Sequence, residues 1–351
     1  MAFFAPDIGI DLGSSNTMVY VRGRGIVISE PTLVATNTAN RRQVRAVGDE
    51  AVYLRGRTSA SLEVVQPIVA GAIADFDMTE VLIRYFIRKA IGVSHVFKPK
   101  VVIAVPCTLS AVARKAVEEA AEVAGAKSVY LVDKPFAAAI GSGLPVYEPV
   151  GSMVVDIGGG TTDAAIVSLG GLVVAQSIPV GGIRMDDAVR NHIRMEANLI
   201  ISPQTAENVK KDLGAAMLMN GNRKVRIRGK DTVGSKDSAE SGSGMGSAKD
   251  ISYSAAQCYE ALKEPCAAIL AAIKWVLERT PPELAADIMR SGIHLTGGAS
   301  QLVALDRYIA TELGIPVLLA KEPSDCTVLG LGYLVENMQL LSSISRAGNA
   351  R

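Results

Sequence analysis

The sequence is poor in histidine, in paired cysteine and in net charge, and each shortage removes a class of function. Three histidines are too few and too scattered for a histidine-based metal centre. The four cysteines, Cys107, Cys258, Cys266 and Cys326, show no C-x-x-C spacing. They read as free cytosolic thiols, not as a zinc site or a disulfide framework. Lysine and arginine total 36 against 35 acidic residues, a net charge of +1. Bulk charge therefore drives no binding to a polyanion, and no nucleic-acid partner is expected. No apolar run reaches the roughly 18 residues needed to span a bilayer. The segment Met1-Ala2-Phe3-Phe4-Ala5-Pro6-Asp7 has neither a basic n-region nor a long h-region, which reads against a secretory signal. What is abundant is apolar residue, 49% against 20% charged, in a chain of 351 residues. That is the composition of a folded protein with enough chain for two domains.

Short β-rich runs alternate with helical runs, the pattern of an α/β fold. Val101–Val105 is a continuous apolar strand closed by Pro106. Ser110 is placed to cap a helix running to Ala124, with Gly125 as its stop, and Val129–Val132 is the next strand, so 101–132 reads as one βαβ unit. A helix over 78–91 follows Asp77, with Glu80 completing a capping box. Ser202-Pro203 opens another helix that Gly214 ends. Gly234 to Lys249 is rich in Ser and Gly without apolar periodicity and reads as a flexible loop, and Ser342 to Arg351 reads as a loose tail.

One internal echo organises the rest. Residues 7–28 and 153–174 each read as strand, Asp-x-Gly turn with small hydroxyl residues, strand, glycine turn, strand. Asp11 matches Asp156 and Gly13 matches Gly158, which points to duplicated halves facing each other. Turns of small residues let backbone N–H groups approach phosphate oxygens, and the hydroxyls of Ser14, Ser15, Thr161 and Thr162 add donors. Asp11 and Asp156 end apolar strands just before the turns, where carboxylates can hold Mg²⁺ through water. A matched pair of such turns makes a phosphate clamp a better reading than two ordinary hairpins. Neither a Walker A loop nor a G-x-G-x-x-G unit fits. Leu295-Thr296-Gly297-Gly298-Ala299-Ser300, after an apolar strand, is a third glycine site able to bring a helix N-terminus near a nucleotide. Glu207 and Lys210 share a helix face, and by spacing alone read as a solvated ion pair.

Taken together, these residues resemble the actin superfamily, and within it the MreB-like bacterial actin homologues. The resemblance covers roughly residues 7–341. It rests on Asp7-Ile8-Gly9-Ile10-Asp11-Leu12-Gly13, Ile73-Ala74-Asp75-Phe76-Asp77, Ala137-Ala138-Ala139-Ile140-Gly141, Val155-Asp156-Ile157-Gly158-Gly159-Gly160-Thr161-Thr162 and Pro281-Pro282-Glu283-Leu284-Ala285-Ala286-Asp287-Ile288. Sugar kinases and heat-shock chaperone ATPases share only the phosphate turns. The resemblance implies an actin-like two-lobed fold of duplicated ribonuclease-H-like domains. The first lobe is expected over 1–145 with a small subdomain at about 33–74, and the second over 146–320 with one at about 182–250. Residues 321–351 are expected to return a helix to the first lobe. It implies ATP and Mg²⁺ in the cleft and self-assembly into filaments. These would lie in the cytoplasm on the inner face of the cell membrane, guiding cell-wall synthesis with cell-wall synthesis and shape proteins as partners.

By the same resemblance Ser14, Ser15 and Asn16 form the first phosphate turn and Gly159, Gly160 and Thr161 the second. Glu207, Asn208, Val209 and Lys210 fall on the ribose and adenine side, and Gly297, Gly298, Ala299 and Ser300 lie under the nucleotide. Asp11 and Asp156 are the metal residues, acting through water. A membrane-inserting loop is implied around Val93, Val96 and Phe97, beside Lys98 and Lys100, with Phe3 and Phe4 as further anchors. Capping of the core is the alternative for these apolar side chains. One departure matters. The family carries Glu-Glu-Pro before the alanine helix, and its second Glu helps position or activate the attacking water. Here the residues are Asp133-Lys134-Pro135. An ammonium cannot accept a proton, so Lys134 is expected to pair with a phosphate, Asp133 or solvent, leaving Thr161 to orient water and Asp133 as the possible substitute acid. Three readings stay open: an ATP-hydrolysing filament protein, a nucleotide-binding scaffold that hydrolyses poorly, and a metabolic kinase on the same fold. No second-substrate site is legible for the kinase.

Overall fold

The computed structural model describes residues 5–41, 43–56, 61–92, 98–219, 221–232 and 248–341. The membrane-anchor candidates Phe3, Phe4, Val93, Val96 and Phe97 lie outside these, as do the 342–351 tail and 234–247 of the expected loop.

The chain opens with a meander of β1 (Ile8–Leu12), β2 (Asn16–Val21) and β3 (Gly25–Pro31). A small sheet follows from β4 (Val34–Asn37), β5 (Val44–Val47) and, after α1 (Asp49–Leu54), β6 (Leu62–Val65). A short hairpin of β7 (Ile68–Val69) and β8 (Ala72–Ile73) leads to α2 (Phe76–Ile91), β9 (Lys100–Val105), α3 (Ala111–Ala124), β10 (Ser128–Asp133) and α4 (Lys134–Gly141). The pattern then repeats. A second meander comprises β11 (Ser152–Ile157), β12 (Thr162–Ser168) and β13 (Gly171–Ile178). Next come α5 (Gly182–Ala197), β14 (Leu199–Ile200), α6 (Pro203–Leu213), β15 (Lys224–Asp231) and β16 (Ala248–Ser254), the three strands pairing as β14-β15-β16. The chain closes with α7 (Ala255–Glu278), α8 (Pro282–Ser291), β17 (Ile293–Thr296), α9 (Leu305–Leu313), β18 (Val317–Leu319) and α10 (Cys326–Glu336).

The two main sheets have the same order, β10-β9-β1-β2-β3 and β18-β17-β11-β12-β13. In each, the first meander strand pairs antiparallel with the second and parallel with a later strand, β9 or β17. The echo between residues 7–28 and 153–174 is thus an echo of topology. Strands β1, β11 and β12 are buried along their whole length, as strands covered on both faces must be. Each sheet has its own apolar core, one containing Ile10, Leu82, Phe86 and Ile103, the other Met153, Ile166, Val189 and Ile273. The molecule is a two-lobed α/β structure.

Local chemistry sets most helix ends. Ser110 caps α3 by accepting from the Ala113 N–H at 3.2 Å, and Gly125 ends it in the left-handed region at φ 118°. Ser202 caps α6 through the Thr205 N–H at 3.1 Å, with Pro203 at the first position and Gly214 at the end. Helix α2 starts earlier than expected. Its cap is Asp75, not Asp77, because the Asp75 carboxylate reaches the Met78 N–H at 3.1 Å. The loop expected to run to Lys249 ends sooner, since Ala248 and Lys249 of β16 pair with Lys230 and Gly229 of β15.

Helix α10 packs against α4 at very close range. A Cβ at Gly330 would fall 1.8 Å from the Ala137 carbonyl oxygen, and one at Gly141 1.8 Å from that of Cys326. Glycine lets the two backbones touch. The other face of α10 meets the first sheet, where Gly332 lies against the Tyr20 ring and Gly9 against Leu331. This contact fixes α4, and with it the residue at its N-terminus, Lys134.

Candidate functional site

The two Asp-x-Gly turns meet face to face. A Cβ at Gly159 would lie 2.5 Å from the Ser15 Cβ, and one at Gly160 2.3 Å from the Ser14 Oγ. Glycine is required here for the approach itself, since any side chain would hold the turns apart. Each turn is anchored from behind. The first is held by Thr32, whose Oγ1 donates to the Gly13 carbonyl at 2.6 Å and whose N–H donates to the Ser15 carbonyl at 2.9 Å. The Ser14 Oγ accepts from the Gly71 N–H at 3.0 Å. The second turn is held by the start of α5, where the Gly182 and Ile183 N–H groups donate to the Gly158 and Gly159 carbonyls at 2.9 and 2.8 Å. With those carbonyls turned toward α5, the amides of the turn are left to face elsewhere. Among the described residues, the N–H groups of Ser14, Ser15, Gly159 and Gly160 donate to no protein acceptor. Unused amides on a turn without side chains suit an anionic ligand, so the residues fit a phosphate chain that parts the two tips.

Behind the turns lies a cluster of buried charge. Asp11, Asp156, Asp163 and Lys134 are each at most 9% exposed. The Lys134 ammonium stands 3.3 Å from Asp11 Oδ1 and 3.8 Å from Asp156 Oδ2. Sequence reasoning expected Lys134 to face a phosphate, Asp133 or solvent, and the structure corrects this. Asp133 is instead the ion-pair partner of Arg114 on α3. A cation at the first turn of a helix opposes the dipole by about 0.3–1 kcal/mol. One opposite charge about 4 Å away offsets that at about 4 kcal/mol in a partly screened interior. The carboxylates, then, and not the helix, decide where this ammonium sits.

Asp163 was not singled out in the sequence, although it follows Thr161 and Thr162 directly. It lies opposite Asp156 in the β11–β12 ladder. Like charges at such a pair repel, and both are fully buried, so a nearby cation is needed. Asp163 accepts from the Thr161 hydroxyl at 2.9 Å and from the Cys107 N–H at 3.1 Å. Cys107 follows β9 of the first sheet, so this carboxylate also ties the lobes together. The signal that could have found it is an acid leading directly into the apolar run Ala164–Val167. Burial pushes the Asp156 carboxyl up to about 6, against the pull of Lys134 and of the Thr296 hydroxyl that donates to it at 2.9 Å. Burial also raises Asp163. For Lys134, burial works against the charge, but Asp11, Asp156 and Asp163 outweigh it and hold the ammonium above its ordinary range.

This arrangement bears on the metal. Asp11 and Asp156 are the two carboxylates expected to hold Mg²⁺ through water. They converge instead on an ammonium at ion-pair distance, on the ground a hydrated dication between them requires. The residues as placed do not fit a divalent ion there. No cluster of three or more His, Cys, Asp or Glu side chains suited to a metal exists among the described residues.

The remaining expected residues sit around α5. Lys210 does not pair with Glu207. Its ammonium bonds the Gly182 carbonyl at 3.0 Å and Asp186 at 2.8 Å, at the start of the helix that supports the second turn. Glu207 pairs with Lys211 at 2.7 Å; burial opposes this charge, but the Lys211 bond holds the carboxylate below its ordinary range. Asn208 is exposed and accepts from Gln204 at 3.3 Å, while the Val209 side chain is part of the second apolar core. Gly297 takes φ 84°, and a Cβ there would meet the Ile157 carbonyl oxygen at 2.3 Å. The short turn Gly298–Gln301 follows, with Ser300 buried and bonded to the Gly297 carbonyl at 2.6 Å. Ala299 lies beside Gly182, so this turn, α5 and the second hairpin form one wall.

Comparison with known proteins follows the same outline. The family model for MreB/Mbl protein matches residues 5–343. The cell shape-determining protein Mbl of Bacillus subtilis (strain 168) is 42% identical over 339 residues, covering 96% of this chain and 98% of that protein. The cell shape-determining protein MreB of Escherichia coli (strain K12) is 40% identical over 341 residues, covering 96% and 95%. Among solved structures, MreB5 of Spiroplasma citri, bound to ADP or to AMPPNP, superposes with a TM-score of 0.87 at 32% identity, covering 98% of this chain and 99% of that one. The fold is actin-like.

Proposed function

The chain belongs to the MreB/Mbl family, and from that premise we propose that it is an actin-like cytoskeletal protein that binds ATP between its two hairpin turns and polymerises. Its filaments lie on the inner membrane surface and organise cell-wall synthesis. The observation that carries this reading is the meeting of Ser14-Ser15 with Gly159-Gly160 from two sheets of the same order, with four backbone amides free. The nucleotide-bound state of the Spiroplasma citri relative supports it. A triphosphate entering between the tips would bridge the lobes through those amides, which couples nucleotide state to lobe closure and so to assembly. Lys210, fixed by Asp186 at the start of α5, would steady the wall on the ribose side.

A second reading is favoured by a specific observation: the chain is a scaffold that binds nucleotide and polymerises but hydrolyses slowly. Lys134 is buried, charged and paired, so it offers no base. The Thr161 hydroxyl is engaged by Asp163 and the Asp133 carboxylate by Arg114. General acid–base terms are worth about 10²–10⁴-fold, so turnover falls toward background while binding persists. Sedimentation with ATP, run beside a phosphate-release assay, tests both. ATP-dependent pelleting is expected, with phosphate release far slower than assembly. Failure to pellet under any nucleotide condition would contradict the filament reading, and fast release would contradict the scaffold reading.

A further inference from the structure

The acid cluster behind the turns carries an inference about the metal, which rests on the nucleotide-binding reading above. We propose that the Lys134 ammonium is a tethered cation that takes the place of the divalent metal between Asp11 and Asp156, so that this chain binds ATP without needing Mg²⁺.

Three observations carry it. First, the ammonium lies 3.3 Å from one carboxylate and 3.8 Å from the other, on the ground that the water shell of a dication held by both would have to occupy. Mg²⁺ keeps most of its waters and demands near-octahedral space, which an ammonium at the same point removes. Secondly, the backbone that carries the ammonium is fixed. Lys134 begins α4, and α4 is locked against α10 by the Gly141 and Gly330 backbone contacts. The side chain is walled in, with the Gly158 Cβ position 3.5 Å from its Nζ. Thirdly, the charge is needed. Asp156 faces Asp163 across the β11–β12 ladder and Asp11 closes the third side, all buried. Such a group is intolerable without a cation, and the chain carries its own. The ammonium lies behind Gly158, at the base of the second turn. From there it acts on phosphates as a fixed positive charge, and it cannot be removed by chelation.

The experiment is calorimetric titration of ATP into the full chain, in magnesium chloride and again in excess EDTA. It is repeated on Lys134→Gln, which keeps a polar side chain but removes the charge. For the natural sequence the dissociation constant is expected to agree between the two buffers within about threefold. For Lys134→Gln, chelation is expected to weaken binding by about tenfold or more, because Mg²⁺ now has the site to itself. Thermal melting of nucleotide-free protein gives a second readout, with Mg²⁺ raising the midpoint of Lys134→Gln and leaving the natural sequence unmoved. A loss beyond threefold on chelation in the natural sequence overturns the proposal, and does so even if the variant fails to fold. Equal indifference to metal in Lys134→Gln overturns the role of Lys134. No ATP binding by the natural sequence in either buffer overturns the nucleotide reading itself.

Discussion

Replacing Lys134 by Met removes one positive charge from the cluster and keeps much of the side-chain volume. Asp11, Asp156 and Asp163 are then left with no compensating ammonium among them, each at most 8% exposed. Breaking a buried pair from one side costs about 3–5 kcal/mol, most of it the penalty of stranding the other charge. The cost has a pH signature. Asp156 is raised from 3.8 to about 6 in the folded state, and Asp163 is raised as well. A carboxyl raised on folding takes up a proton more readily in the native than in the unfolded chain, so it destabilises above about pH 6, and the penalty is relieved as pH falls toward 3.8. Lys134 titrates far above this window and stays charged throughout. Without the pull of Lys134, Asp156 rises further in the variant, so the difference from the natural sequence is expected to be about 3–5 kcal/mol near pH 8 and smaller near pH 5, where Asp156 is protonated in both. Urea denaturation of nucleotide-free protein in EDTA, followed at both pH values, measures it through the shift in midpoint. A loss under about 1 kcal/mol at the higher pH would refute the reasoning, and so would a loss that grows on acidification.

Three other outcomes are expected. Gly330→Ala sets a methyl 1.8 Å from the Ala137 carbonyl oxygen and must part α10 from α4. Thermal melting should show a loss of about 1–3 kcal/mol, whereas Gly23→Ala, with open space around it, should be felt only through its backbone. Asp163→Ala removes the acceptor of the Cys107 N–H and of the Thr161 hydroxyl. The Cys107 thiol, held well above its ordinary range by burial and by the Asp163 charge, should then alkylate faster at fixed pH, and an unchanged rate would speak against that contact. Changing Phe3, Phe4, Val96 and Phe97 together to polar residues should reduce pelleting with anionic liposomes while ATP-dependent assembly persists, since many weak anchors act together in a polymer. Unchanged pelleting by an assembling variant would remove that surface from the account.

What could be read in the chain was whatever is local or repeated. The Asp11 and Asp156 segments are alike because they build the same meander, and the two sheets share their order as a result. Ser110, Gly125, Ser202 and Gly214 mark helix ends because caps need only residues three or four apart. Asp77 is not the cap because it lies inside the first turn of α2, and the path of the chain out of β8 gives the Met78 N–H to Asp75. The partners of Lys134 were hidden because Asp11, Lys134 and Asp156 come from three distant elements. Among acids, local reasoning offers only Asp133, which α3 claims through Arg114. Spacing likewise suggested Glu207 with Lys210. The helix turns those side chains apart, toward Lys211 and toward Asp186 on another helix.

The central claim is that the two turns hold a phosphate chain with Lys134 as the cation behind it. A crystal structure grown with AMPPNP in the presence of Mg²⁺ tests it most directly. The account predicts the triphosphate against the Ser14, Ser15, Gly159 and Gly160 amides, with the Lys134 ammonium still between Asp11 and Asp156 and no metal held by either carboxylate, directly or through water. Nucleotide bound away from these turns, or Lys134 displaced by a metal held between the two carboxylates, would contradict it.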